Sequence, residues 1–226
     1  MTDKSLYQSL AGYGLHVLAV TRLSDDEAAS LGIDDPDRAL ALVGNIGSSY
    51  WPFFSASPEY RDAAAHPLDR WSQRIAAEIA DPRALQPLFP FEGPPWLPFQ
   101  RWAERAGGLT QSPIGVMMHP EYGLWHSYRF ALRGARFEVP ASGDESPCLS
   151  CTTKPCLNTC PVDAFDASGY AVDRCADYLG RDPEAGCHQQ GCLARYACPV
   201  APELRYDAAQ GRFHLNAFLG ARPAAG

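Results

Sequence analysis

The first 147 residues contain no cysteine. Thiol nucleophiles, disulfide staples and thiolate-bound metals are therefore excluded from the larger part of the chain. No apolar run reaches the roughly 18 residues that a membrane-spanning helix needs, so no membrane partner is expected. The start, Met1-Thr2-Asp3-Lys4-Ser5-Leu6, lacks a basic stretch followed by an apolar one, and no twin-arginine pair occurs. A cytoplasmic location follows as the expectation, and thiols stay reduced there. Positive charge is scarce: Lys and Arg total 19 against 26 Asp and Glu, a net charge of −7. The basic footprint of a DNA-binding protein is missing, so DNA is not expected as a partner. Neither Gly-x-Ser-x-Gly nor His-Glu-x-x-His occurs, so two common hydrolase signatures are absent. Gly44-Asn45-Ile46-Gly47 lacks the spacing and the lysine of a phosphate-binding loop and reads as a strand-to-loop turn.

What is present is a chain of 226 residues, 46% hydrophobic and 11% aromatic, enough for one large domain or two small ones. Residues 13–20 are rich in aliphatics and predict a strand. Ser24-Asp25-Asp26-Glu27 matches a capping box that opens a short helix, with Gly32 at its end. Ala39–Val43 reads as a buried strand. Leu68, Trp71, Ile75 and Ile79 fall on one helical face that stops before Pro82. Residues 86–98 hold five prolines and read as an ordered loop or lid. A helix from Phe99 to Ala106 ends at Gly107-Gly108. Residues 114–118 and 124–132 read as two strands, a hairpin with a wide loop. Residues 140–147 read as a polar linker and 201–226 as a C-terminal tail that frays. The aromatics Trp51, Phe53, Phe54, Trp96, Phe99 and Trp102 read mainly as core packing.

All eight cysteines lie between Cys148 and Cys198. The first four read Cys148-x2-Cys151-x4-Cys156-x3-Cys160-Pro161, close to the ferredoxin run C-x2-C-x2-C-x3-C-P that holds iron–sulfur clusters. Cys175, Cys187, Cys192 and Cys198-Pro199 follow. Eight thiolates suffice for two [4Fe–4S] clusters. In two-cluster ferredoxins the cysteine before the proline ligates the other cluster. Applied to this chain, Cys148, Cys151, Cys156 and Cys198 hold cluster 1, while Cys160, Cys175, Cys187 and Cys192 hold cluster 2. The spacing is looser than in a ferredoxin, with four residues between Cys151 and Cys156 and a distant Cys175. Two four-thiolate zinc sites would consume the same eight thiols, although the Cys-Pro endings favour iron. With every thiol assigned, none remains as a nucleophile.

The segments Cys148 to Phe165, Asp173-Arg174-Cys175-Ala176-Asp177-Tyr178-Leu179 and Gly186-Cys187 to Val200 resemble the dicluster domain of epoxyqueuosine reductases. Arg105-Ala106-Gly107 and Pro113 to Trp125 are similar to the stretch before the clusters in that family. The resemblance extends to reductive dehalogenases and to cobalamin-processing proteins. It implies an α+β fold: a nitroreductase-like, cobalamin-processing-like N-terminal domain over 1–140, then a small bacterial dicluster ferredoxin-like domain over 146–200. It further implies a redox protein that passes electrons through its clusters to a corrinoid, which would make it a cobalamin-dependent reductase. A flavodoxin or a ferredoxin reductase would supply the electrons. By the same comparison His119, Tyr122 and Trp125 would lie near the corrinoid. Glu92, in Phe91-Glu92-Gly93-Pro94, stands where the family carries its proton-donating aspartate, which gives it the catalytic acid/base role. The helical-repeat extension that recognises transfer RNA in many such reductases is missing, and Lys and Arg are few. Transfer RNA is therefore a doubtful partner on sequence alone, and so is the epoxyqueuosine reaction. His126 and His188 read as structural or cluster-tuning residues. The rival reading is a ferredoxin-like electron carrier whose N-terminal domain docks a partner.

Overall fold

The structure, a computed structural model, describes residues 4–34, 38–134, 137, 146–166 and 169–221. Most of the expected linker at 140–147 lies outside the described residues. In chain order the N-terminal elements are α1 (Lys4–Ala11), β1 (His16–Arg22), α2 (Asp25–Ser30), β2 (Ala39–Ile46), α3 (Trp51–Ser55) and α4 (Pro58–Arg61). Next come α5 (Pro67–Ala80), β3 (Gln86–Leu88), α6 (Phe99–Ala106), β4 (Thr110–Gln111), β5 (Met117–Met118) and β6 (His126–Arg133). The C-terminal part holds α7 (Pro147–Ser150), α8 (Pro155–Asn158), β7 (Phe165–Asp166), β8 (Gly169–Tyr170), α9 (Val172–Arg181), α10 (Cys187–Gln190), α11 (Leu193–Tyr196) and α12 (Ala208–Gly220). The mixture of helices and antiparallel strands fits the expected α+β class.

Two compact units divide the chain: Met1–Gly108 with His126–Gly143, and Leu109–Trp125 with Asp144–Gly226. The division therefore does not fall at one point near residue 140. Residues 109–125 leave the first unit and join the cysteines.

The first unit is built on a four-stranded antiparallel sheet of order β1-β2-β6-β3. β2 is buried from Ala39 to Asn45, as a central strand covered on both faces must be. The Ser24 capping box is formed: Ser24 Oγ accepts from Glu27 N at 3.2 Å, and Ser24 N donates to Glu27 Oε2 at 2.8 Å. The same Glu27 carboxylate accepts from Trp102 Nε1 at 3.0 Å and from Arg105 at 2.8 Å, so one residue caps α2 and ties it to α6. Burial alone would raise its pKa. Arg105, the Ser24 amide and Trp102 overcome this and hold the carboxyl at about 2.

α5 runs as expected and buries Leu68, Trp71, Ile75 and Ile79. Trp71 packs against Tyr50 and Phe54, ring centroids 5.7 Å apart in each case. Of the aromatics named from sequence, Trp51, Phe54, Phe99 and Trp102 are buried, while Phe53 and Trp96 are exposed. α1 carried no strong sequence signal, yet Leu6 and Leu10 are buried.

Three expectations need correction. Residues 86–98 are not loop throughout: β3 forms the sheet edge, where Pro87 is tolerated because one side of the strand has no ladder to donate to. The hairpin of 114–118 with 124–132 does not form. Met117 and Met118 pair with Gln111 and Thr110, whereas β6 lies between β2 and β3. Residues 208–220 are the helix α12 rather than a frayed tail.

Candidate metal centres

The second unit carries its cysteines on very short helices whose starts are set by proline and polar caps. Pro147 and Pro155 open α7 and α8, where a missing N–H costs nothing. Ser146 Oγ caps α7 by accepting from Cys148 N at 3.3 Å, and Thr110 Oγ1 reaches Ser146 Oγ at 2.5 Å. Lys154 takes a left-handed backbone, φ 39°, and its Nζ returns to Cys148 O at 2.9 Å. The extra residues between Cys151 and Cys156 are thus absorbed in a turn. Cys175 lies on α9, Cys187 opens α10, Cys192 precedes α11 and Cys198 follows it.

Two cavities result. Cys160, Cys175, Cys187 and Cys192 line one of about 190 Å³. Cys148, Cys151, Cys156 and Cys198 line a tighter one of about 20 Å³. Burial raises the Cys156 pKa first, and the neighbouring Cys198, Cys148 and Cys151 add to it. Burial likewise raises Cys187, with Cys175 and Cys160 beside it, and pushes Cys192 up to about 11. Such thiols are protonated at neutral pH, so a metal must displace their protons on binding. All eight are free thiols.

Backbone amides are aimed at several of the sulfurs. Ala164 N donates to Cys160 Sγ at 3.3 Å. Leu193 N serves Cys187, Ala194 and Arg195 N serve Cys192, and Val200 N serves Cys198. The Tyr170 hydroxyl bonds Cys175. Two residues that line the cavities carry a buried side-chain donor without a protein partner: Trp125 (Nε1) at the larger and Ser112 (Oγ) at the tighter. Thiols, amides and orphan donors are the groups that a thiolate-bound cluster would draw on. Among the described residues no group of three or more His, Cys, Asp or Glu is arranged to hold a single metal ion.

Glu92 is solvent-exposed in the first unit and accepts from Gln73 Nε2 at 3.1 Å. His119 Nδ1 accepts from Glu121 N at 3.0 Å and Tyr122 N at 3.1 Å, and its ring stacks on Tyr122 at 4.1 Å. These contacts fix the 119–123 turn, where Gly123 (φ 58°) approaches Val200 so closely that a Cβ would meet its carbonyl oxygen at 2.7 Å. Trp125 lines the larger cysteine cavity. No placement of the three supports a corrinoid. His188 Nε2 lies 3.0 Å from Leu179 O. Sequence reading gave Ser112, Tyr170 and Arg195 no role. A lone polar residue in a two-residue ladder or a short helix carries no periodic signal.

No protein-family model matches the chain, and no curated protein does. Among solved structures, an epoxyqueuosine reductase from Bacillus subtilis, with its catalytic loop swung out of the active site, aligns over 92% of this chain and 69% of its own. The identity is 16% and the TM-score 0.50, so the likeness is one of fold. A selenomethionine-labelled epoxyqueuosine reductase aligns at 18% identity and TM-score 0.48, over 92% of this chain and 70% of that one. Another, with an epoxyqueuosine-modified tRNA-Tyr stem loop, aligns at 18% and 0.49, over 92% and 69%. That protein is seen with a transfer RNA stem loop, a finding that runs against the doubt about transfer RNA drawn from the sequence. That doubt rested on whole-chain charge and on a missing extension, and neither describes a local surface. Among the described residues no helix is long and apolar enough to cross a membrane.

Proposed function

We propose that this chain is a two-cluster iron–sulfur reductase of the epoxyqueuosine reductase kind, acting on a modified transfer RNA. The observation that carries the reading is the partition of eight thiols, four and four, around two cavities. When bound, [4Fe–4S] clusters supply electrons one at a time. Cys148, Cys151, Cys156 and Cys198 would hold one cluster and Cys160, Cys175, Cys187 and Cys192 the other. Apolar side chains such as Met118, Leu124, Leu179 and Phe218 line these cavities. Reduction of an epoxide consumes two electrons and two protons, and Glu92 is this chain's nominee for delivering a proton, on the family resemblance alone.

A second reading, an electron carrier, is favoured by one observation. His119 Nδ1 holds its own turn and Trp125 lines a cysteine cavity, so no contact described for these residues calls for a corrinoid. One assay separates the two. The anaerobically assembled, dithionite-reduced protein is incubated with an epoxyqueuosine-modified stem loop, with and without added cobalamin, and the nucleoside is analysed by mass. Loss of the epoxide in either arm is the expected result. Reduced clusters with an untouched stem loop in both arms would leave the carrier reading in its place.

A further inference from the structure

Among the buried polar atoms without a partner, Ser112 Oγ and Trp125 Nε1 share two properties. Both belong to the stretch Leu109–Trp125 that leaves the first unit to join the cysteines, and each lines a different cavity. The Gln210 amide, also unpartnered, lines neither.

Each donor is held in place by its surroundings. Ser112 N donates to Val116 O at 3.0 Å and Ser112 O accepts from Gly115 N at 2.9 Å, so only the hydroxyl is left over. The residue is 5% exposed. The Trp125 ring is fully buried, edge-on to Tyr196 at 5.2 Å and to Tyr206 at 5.6 Å. The Arg195 guanidinium lies 5.1 Å from its centroid and is itself anchored on Leu124 O. A cation over the indole face draws electron density from the ring and strengthens the N–H as a donor. Buried donors of this kind are rarely left unpaired, and an unmodified protein interior offers them nothing here.

We propose that Leu109–Trp125 supplies one hydrogen bond to each cluster: Ser112 Oγ–H to sulfur of the cluster held by Cys148, Cys151, Cys156 and Cys198, and Trp125 Nε1–H to sulfur of the cluster held by Cys160, Cys175, Cys187 and Cys192. The proposal rests on the two-cluster reading. A reduced cluster carries one more negative charge and accepts these bonds more strongly, so each donor raises the potential of its own cluster. The segment thereby sets the two potentials independently.

The test is an EPR-monitored redox titration of the anaerobically assembled full chain as wild type, Ser112→Ala and Trp125→Phe. Ser112→Ala is expected to lower the midpoint of one cluster and Trp125→Phe that of the other. Each shift should be of the order of tenfold in the one-electron equilibrium, about 59 mV. Unchanged midpoints in both variants, or equal shifts of both clusters by either variant, would overturn the proposal. A wild-type chain with no cluster signal would instead remove the reading beneath it. Should Trp125→Phe fail to assemble, wild-type protein carrying ¹⁵N-indole tryptophan keeps the question open to measurement. A ¹⁵N coupling to a reduced cluster supports the bond, and its absence contradicts it.

Discussion

Glu59 is buried, its side chain 11% exposed, and its charge is held by one guanidinium. Arg74 Nε lies 2.6 Å from Glu59 Oε1 and its second nitrogen 3.1 Å from Oε2. The Arg74 hydrogen bonds, against burial, hold the carboxyl at about 2 rather than the ordinary 4.5. A lowered pKa in the folded state means the stabilisation is complete above about pH 4.5 and fades as pH falls towards 2. Arg74 is 39% exposed, so solvent screens the pair, and about 1–3 kcal/mol is the reasonable range. Glu59→Gln should lose that much at pH 7, and its gap from wild type should narrow at pH 4. Urea denaturation followed by tryptophan fluorescence measures this; a gap that ignores pH would contradict it. At this scale the sequence was only partly legible. The residue types of a site could be nominated, but partners distant in sequence could not: nothing local marks Glu59 as the anion for Arg74, or His119 as the lock of its own turn.

At the scale of elements, Gly211 decides how α12 sits on α10. A Cβ there would meet Gln190 O at 1.9 Å, a backbone atom that cannot move aside. Because α10 begins at Cys187, Gly211→Ala should displace one thiol of the larger cavity while leaving the tighter one intact. Iron analysis after anaerobic assembly is expected to show about half the wild-type content; full content would refute the coupling. Ser24→Ala should destabilise the first unit by about 0.5–2 kcal/mol, read as a drop in melting temperature. That is the ordinary range for a lost cap, and the value is expected near its upper end because Glu27 also bonds Trp102 and Arg105. Elements with strong periodicity, α5 and α6, were legible to within a residue or so. α12 was not, since its buried positions are only Gln210 and Gly211 and no apolar stripe marks it. β3 was hidden by its proline. The strand pair at 114–132 was misread because a hairpin and two unrelated strands share the same local pattern.

For the molecule as a whole, the cysteine spacing carried the chemistry, while the walls around the thiols were beyond it. Ser112, Trp125 and Tyr170 reach the cavities through the fold and leave no trace in the run of cysteines. Their consequence is an inequality between the two centres. Backbone amides of Ala164, Leu193, Ala194 and Arg195 and the Tyr170 hydroxyl bond the thiols of the larger cavity. Among the described contacts, the tighter cavity's thiols take the amides of Val200 and of Cys156 itself. More hydrogen bonds to sulfur raise a potential. A redox titration should therefore resolve two steps, the more positive one abolished by Cys192→Ser and the more negative one by Cys198→Ser. A single step lost equally in both variants would contradict the inequality.

If the eight thiols hold two [4Fe–4S] clusters, Mössbauer spectroscopy of ⁵⁷Fe-reconstituted protein with iron, sulfide and zinc analysis will show it. About eight iron and eight sulfide per chain are expected, in a spectrum characteristic of [4Fe–4S]²⁺. About two zinc per chain with no sulfide would contradict it.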